Sequence, residues 1–198
     1  MDNASGQKMV FVVTTLWFVL ALLAGASGLT LQMVPPLPQI TLFGLVILLL
    51  LLFWLSHSFR SWILTVGIRV LVGVHLTRFV GFYFLYLYSL NRLPYDFAVL
   101  GGWGDIIVAA LALLLILLVP ISTKKGRLIY LVWNLIGLID ILFVVATATR
   151  LAIADPQSMG ELLKLPLSLL PTFLVPIIIF THIIIFIRLR KDRRLKNG

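Results

Sequence analysis

The stretch LIYLVWNLIGLIDILFVVATAT, residues 128–149, is apolar enough and long enough to cross a bilayer as one helix, and its only charged side chain is Asp140. A hydrocarbon core about 30 Å thick takes roughly 20 helical residues at 1.5 Å each. Asp140 lies twelve residues into this run, hence about 18 Å along it, too deep for a short side chain to reach water. A charge at that depth costs roughly 2.5–3.5 kcal/mol on insertion scales unless it is paired or hydrated. Asp140 therefore requires company inside the protein. Helical spacing aligns Trp133, Gly137, Asp140, Val144 and Thr147 in one stripe flanked by Asn134, and the missing side chain at Gly137 lets a neighbouring helix come close there.

Working outward, five more runs of similar character flank it. The chain has 198 residues, 61% of them hydrophobic and 12% charged, with a mean hydropathy of +1.12. Soluble domains hold roughly 45–50% apolar and about 25% charged residues, so this chain has too little polar surface to coat a water-soluble globule. The expected spans are 9–31, 40–56, 62–90, 103–120, 128–149 and 167–187, forming an all-α integral membrane bundle over residues 1–198. Prolines Pro35, Pro36 and Pro38 end the first; Asn91, Arg92 and Pro94 close the third. The third is too long for one crossing, so Trp62 to Ile68 is expected to lie in the interface and the crossing to begin near Arg69. Ala24-Gly25-Ala26 has the small-x-small form of a signal-peptide cleavage site, the alternative reading of the first span.

The basic residues orient the bundle. Six of the sixteen fall in the last eleven positions: Arg188, Arg190, Lys191, Arg193, Arg194 and Lys196. With that end in the cytoplasm and six alternating spans, the inner segments hold these six plus Lys8, Arg60, Lys124, Lys125 and Arg127, while the outer loops hold only Arg92, Arg150 and Lys164. Eleven against three obeys the positive-inside rule and places both termini inside. The same cluster suits anionic lipid headgroups. The net charge of +9 is thus a matter of topology, with no nucleic acid implied.

Within the spans the expensive residues are Arg69, His75, Arg78, Asp105, Asp140 and His182, with Asn134 as a neutral partner. Arg69 can snorkel to the inner surface, which puts Arg78 about 14 Å deep, level with Asp140; an Arg78–Asp140 pair is expected. Asp105 follows Gly101-Gly102-Trp103-Gly104 and reads either as a carboxylate in the first turn of the fourth helix or as part of an anion-binding turn. His75 and His182 fall at matching depths, about 9 Å, so two readings stand: haem b held by both as axial ligands, or hydrogen bonding across helices. Phe79, Phe82, Tyr83, Phe84, Tyr86 and Tyr88 read as an aromatic belt at the outer interface. Pro166, Pro171 and Pro176 promise kinks in the sixth span.

Several chemistries are absent from the chain: there is no cysteine, no phosphate-binding loop, no His-Glu-x-x-His and no Gly-x-Ser-x-Gly. No acid, base and nucleophile share a face, so a non-enzymatic role is expected. The runs Arg92-Leu93-Pro94-Tyr95-Asp96-Phe97-Ala98, Gly101-Gly102-Trp103-Gly104-Asp105 and Trp133-Asn134-Leu135-Ile136-Gly137-Leu138-Ile139-Asp140 resemble a group of uncharacterised bacterial multi-spanning inner-membrane proteins. The resemblance implies a bacterial plasma-membrane setting and groups Asp105, Asn134 and Asp140; it carries no activity. Three functions follow from the residues: a polar centre of Arg78, Asp140, Asn134, His75, His182 and Asp105 that binds or conducts a small ligand, ion or proton; a b-type cytochrome; or a non-catalytic membrane partner subunit whose charges lock its helices.

Overall fold

A computed structural model describes residues 3–194, and among these there are helices and no strand. Six helical stretches are long and apolar enough to cross a membrane: Gln7–Ala26, Leu37–Leu55, Ile68–Ser89, Asp96–Leu118, Lys124–Ala154 and Leu170–Arg190. The chain forms two compact units, one from residues 3–66 and 149–180, the other from 67–148 and 181–194.

In the first unit, α1 (Asn3–Ala26), α2 (Leu37–Leu55) and the short α3 (His57–Thr65) pack with the segment that follows residue 149. Phe11, Leu20, Trp54 and Leu55 lie on the surface, a distribution suited to lipid and costly in water. Gly28, with φ +76°, ends the first helical run in the left-handed region where glycine carries no steric penalty. The third apolar run divides at Val66 and Gly67, whose backbones are extended. Trp62 is thereby separated from the crossing at Ile68, and the crossing starts where Arg69 was expected to anchor it. Arg69 Nη2 donates to the Val119 carbonyl at 3.5 Å.

Pro176 has no N–H to offer the carbonyl four residues earlier, that of Thr172. The Trp17 indole N–H donates to that oxygen at 2.9 Å, and Trp17 and Phe18 both meet the Phe173 ring edge-on, at 4.8 and 5.2 Å. One turn back, the Thr172 hydroxyl donates to Ser168 O at 2.6 Å. The proline-rich start of the sixth span, with its π turn at Leu170–Leu174, is held by side-chain donors where backbone donors are missing.

The second unit contains the third and fourth spans, most of the fifth and the end of the sixth. The third is α4 (Ile68–Gly73), a 3-10 segment (Val74–Val80) and α5 (Gly81–Ser89). It closes in a Schellman motif: Asn91 takes φ 56°, the Arg92 N–H donates to Leu87 O at 2.9 Å, and the Asn91 N–H donates to Tyr88 O at 2.9 Å. The fourth begins with a π turn at Asp96–Gly101 and continues as α6 (Gly102–Leu118). It starts seven residues earlier than Trp103, the expected first residue. Gly101 and Gly102 are therefore helix interior, where they serve packing: a Cβ on Gly81 would strike the carbonyl oxygen of Gly102. The fifth, α7 (Lys124–Ala154), runs past the expected end at Thr149, and α8 (Val175–Arg194) is the last described helix.

The aromatic run of the third span divides in two. Phe82, Tyr86 and Tyr88 are exposed as a belt requires, whereas Phe84 is buried and packs on Phe97 with centroids 4.9 Å apart. Of the basic cluster at the C-terminus, Arg190 lies over the Phe186 ring at 4.9 Å. Lys196 and the side chains of Lys191, Arg193 and Arg194 fall outside the described residues.

Candidate functional site

The polar centre lies wholly in the second unit, and local geometry explains how its parts meet. In a 3-10 segment, three residues make one turn, so side chains three apart eclipse. His75 and Arg78 lie in such a segment and project along one line. Gly81 and Gly102 bring the backbones of the third and fourth spans into contact. Arg78 stands one turn before the first of these glycines and Asp105 one turn after the second, so the close crossing sets the separation of the two charges.

Arg78 is buried and each of its three guanidinium nitrogens donates a hydrogen bond. Nε donates to Asp105 Oδ1 at 2.6 Å, Nη1 donates to the Gly137 carbonyl at 2.9 Å, and Nη2 donates to Asp140 Oδ2. The planar guanidinium thus joins three spans. Asp140 Oδ1 rests against Gly104, in the space that a Cβ would take. The two carboxylates differ in access: the Asp105 side chain is 4% exposed and that of Asp140 is 19% exposed. Beside Asp140 on α7, Ile136, Ile139 and Phe143 are exposed apolar residues.

Adjacent to this triad is a neutral network. Asn134 Nδ2 donates to the His182 carbonyl at 3.1 Å, and Asn134 Oδ1 meets His182 Nδ1 at 2.9 Å. A carbonyl only accepts, so the amide nitrogen must face it and Oδ1 must face the ring; His182 Nδ1 therefore carries the hydrogen. In the neutral ring this leaves Nε2 as a bare acceptor, and it is buried without a hydrogen-bond partner. A Cβ on Gly137 would come within 2.7 Å of His182 Cε1 and 3.2 Å of Nε2, so the ring lies directly against Gly137. The fixed tautomer is checkable: nitrogen-15 spectra of histidine-labelled protein at neutral pH are expected to show His182 protonated at Nδ1 alone, and Asn134→Leu to release that preference. A Nε2–H signal in the unsubstituted protein would contradict the geometry.

His75 shares a hydrogen bond of 3.2 Å between its Nε2 and Thr181 Oγ1, and its Nδ1 is buried and unpartnered. The two imidazoles are in contact, with centroids 4.1 Å apart, and Trp133 packs on both, at 5.1 and 5.7 Å. Two axial ligands of a haem iron have the porphyrin plane between them. Imidazoles that touch leave no width for it, so the arrangement does not fit bis-histidine haem ligation. Among the described residues there is no group of three metal-ligating His, Cys, Asp or Glu side chains.

The six residues assigned to the polar centre thus fall within two clusters that meet at Gly137, Arg78–Asp105–Asp140 and His75–His182–Asn134. Asp105 is in the first turn of α6 as expected, but the π turn before it leaves that turn inside a span that begins nine residues earlier at Asp96, and its carboxylate holds Arg78. Thr181 went unnoticed, although it had a visible signal as the residue beside His182 in a largely aliphatic run; Gly104 was read as part of a turn, since only the position of Asp140 shows what the glycine admits.

Comparison with known families is informative at one point. A profile described as Domain of unknown function (DUF8737) matches residues 35–190. The chain belongs to that family. Every residue of both clusters lies inside the matched region, which spans the second to sixth apolar helices. No curated protein matches the chain, and no solved structure does.

Proposed function

We propose that this is a multi-pass protein of the bacterial plasma membrane, with both termini cytoplasmic, whose Arg78–Asp105–Asp140 centre binds a proton. The topology is supported by the distribution of basic residues and the setting by the resemblance of the Gly101–Asp105 and Trp133–Asp140 runs; the terminal basic cluster then meets anionic headgroups of the inner leaflet.

The observation that carries the proton assignment is a charge count. One guanidinium contacts two carboxylates in the middle of three apolar spans. If both acids were ionised, the centre would hold one uncompensated negative charge in a medium that penalises it. A single proton on one carboxyl group makes the triad neutral while leaving an ion pair in place. Asp105, the more buried acid, is the fixed counter-ion of Arg78, and Asp140, the more accessible, is where the proton exchanges.

A membrane-soluble carbodiimide tests this, because it adds to a protonated carboxyl group and leaves a stable N-acylurea. Mass spectrometry is expected to find the adduct on Asp140 and not on Asp105, with Asp140→Asn unlabelled and labelling suppressed as the pH rises. Labelling suppressed by sodium at constant pH would assign a small cation in place of the proton. No labelling at any pH at which the protein stays folded would sink the reading.

A further inference from the structure

The Nε2 of His182 is a buried acceptor without a hydrogen-bond partner. We infer that the centre is a two-station proton relay in which Asp140 is the outer station and His182 Nε2 the inner one, the route crossing the face of Gly137. This rests on the reading of the Arg78–Asp105–Asp140 centre as a proton site.

Three observations converge on it. Gly137 and Asp140 are one helical turn apart on α7, about 4.5 Å of rise, and His182 lies against Gly137, with Nε2 3.2 Å from where a Cβ would stand. His182 already spends its Nδ1 hydrogen on Asn134, so the ring nitrogen beside Gly137 is its vacant acceptor. Access is graded: Asp140 is partly exposed beside Ile136, Ile139 and Phe143, and His182 is wholly buried.

The transfer balances in charge. The O–H bond of the Asp140 carboxyl breaks, its electron pair stays on the carboxylate, and the proton binds the Nε2 lone pair, so that His182 becomes an imidazolium still donating from Nδ1 to Asn134. The titratable and charged groups facing this route are His75 and Arg78 from the third span, Asp105 from α6, Asp140 from α7 and His182 from α8. Before transfer these sum to one positive and one negative charge; afterwards to two of each. The total stays at zero, so the proton moves without placing a net charge in the bilayer. Past His182, the His75 ring in contact with it and the Thr181 hydroxyl on His75 Nε2 continue the path inward.

The test uses the full chain in vesicles of phosphatidylethanolamine and phosphatidylglycerol, with a potassium diffusion potential and an internal pH dye. Proton flux is expected for the unsubstituted protein. His182→Gln should lower it by about two orders of magnitude while carbodiimide still labels Asp140, and imidazole in the buffer should restore flux to His182→Ala. Asp140→Asn should lose both flux and label. Flux unchanged in His182→Gln but lost in Asp140→Asn would remove the inner station and keep the proton site. Labelling without flux in the unsubstituted protein would overturn the relay alone; neither labelling nor flux would overturn the centre itself. A measurement free of substitutions runs beside these: in nitrogen-15 spectra, acidification should protonate His182 at Nε2 while the fold persists, and a His182 that stays neutral until unfolding overturns the inner station.

Discussion

Replacing Arg78 by methionine is expected to cost roughly 3–5 kcal/mol, the range for removing one partner of a buried ion pair, and so to leave little folded protein in the membrane. Arg78 compensates two carboxylates and also satisfies the Gly137 carbonyl; its loss would leave both acids to be protonated and would disconnect three spans. The triple variant Arg78→Met with Asp105→Asn and Asp140→Asn is expected to regain part of that stability, because a buried amide carries a much smaller desolvation penalty than an unpaired carboxylate. Thermal melting in detergent distinguishes the two. A triple variant no more stable than Arg78→Met would mean that the charges do not act as a unit.

The second large effect is expected at Gly81. A Cβ there meets the Gly102 carbonyl oxygen, a backbone atom, and Ile106 Cγ1 at 3.0 Å, so the third and fourth spans must separate for even an alanine to fit. Overpacking of this kind costs typically about 1–3 kcal/mol. Here it also draws Arg78 away from Asp105, one turn to either side of the crossing. Gly81→Ala should therefore lower the melting temperature and alter carbodiimide labelling of Asp140 together. Gly44→Ala is the control: nothing lies within 4 Å of a Cβ at that position, so no loss is expected. Equal melting temperatures for the two variants would show that the Gly81 crossing has no such role.

The positions of these residues explain why part of the centre was legible in the chain and part was not. Asp140 could be read because the cost of a charge in hydrocarbon is set by depth, and depth follows from counting residues at a fixed rise. The same count levelled Arg78 with Asp140 and His75 with His182, and the structure brings each pair together. The pairing of Asp105 with Arg78 escaped because Gly101, Gly102 and Gly104 look like a loop by propensity, whereas between packed spans glycine is an interface residue. The helix therefore begins at Asp96 and carries Asp105 to Arg78. The 3-10 segment at Val74–Val80 has no sequence signature either; the eclipsing of His75 and Arg78 is a property of packing. Nor could the sequence tell that two histidines at matched depth would lie in contact, their rings tilted at 48°, with no width for a porphyrin between them.

A function in locking helices and a function in binding a proton share the same ion pairs but differ in their count of protons. Infrared difference spectroscopy of the folded protein in membranes measures that count through the C=O stretch of a protonated carboxyl group. One guanidinium facing two acids predicts the band in the unsubstituted protein, and its loss in Asp140→Asn and in Asp105→Asn alike, since either substitution leaves a single carboxylate that Arg78 neutralises without a proton. A spectrum without the band in the unsubstituted protein at neutral pH, or a band that survives both substitutions, would contradict the account.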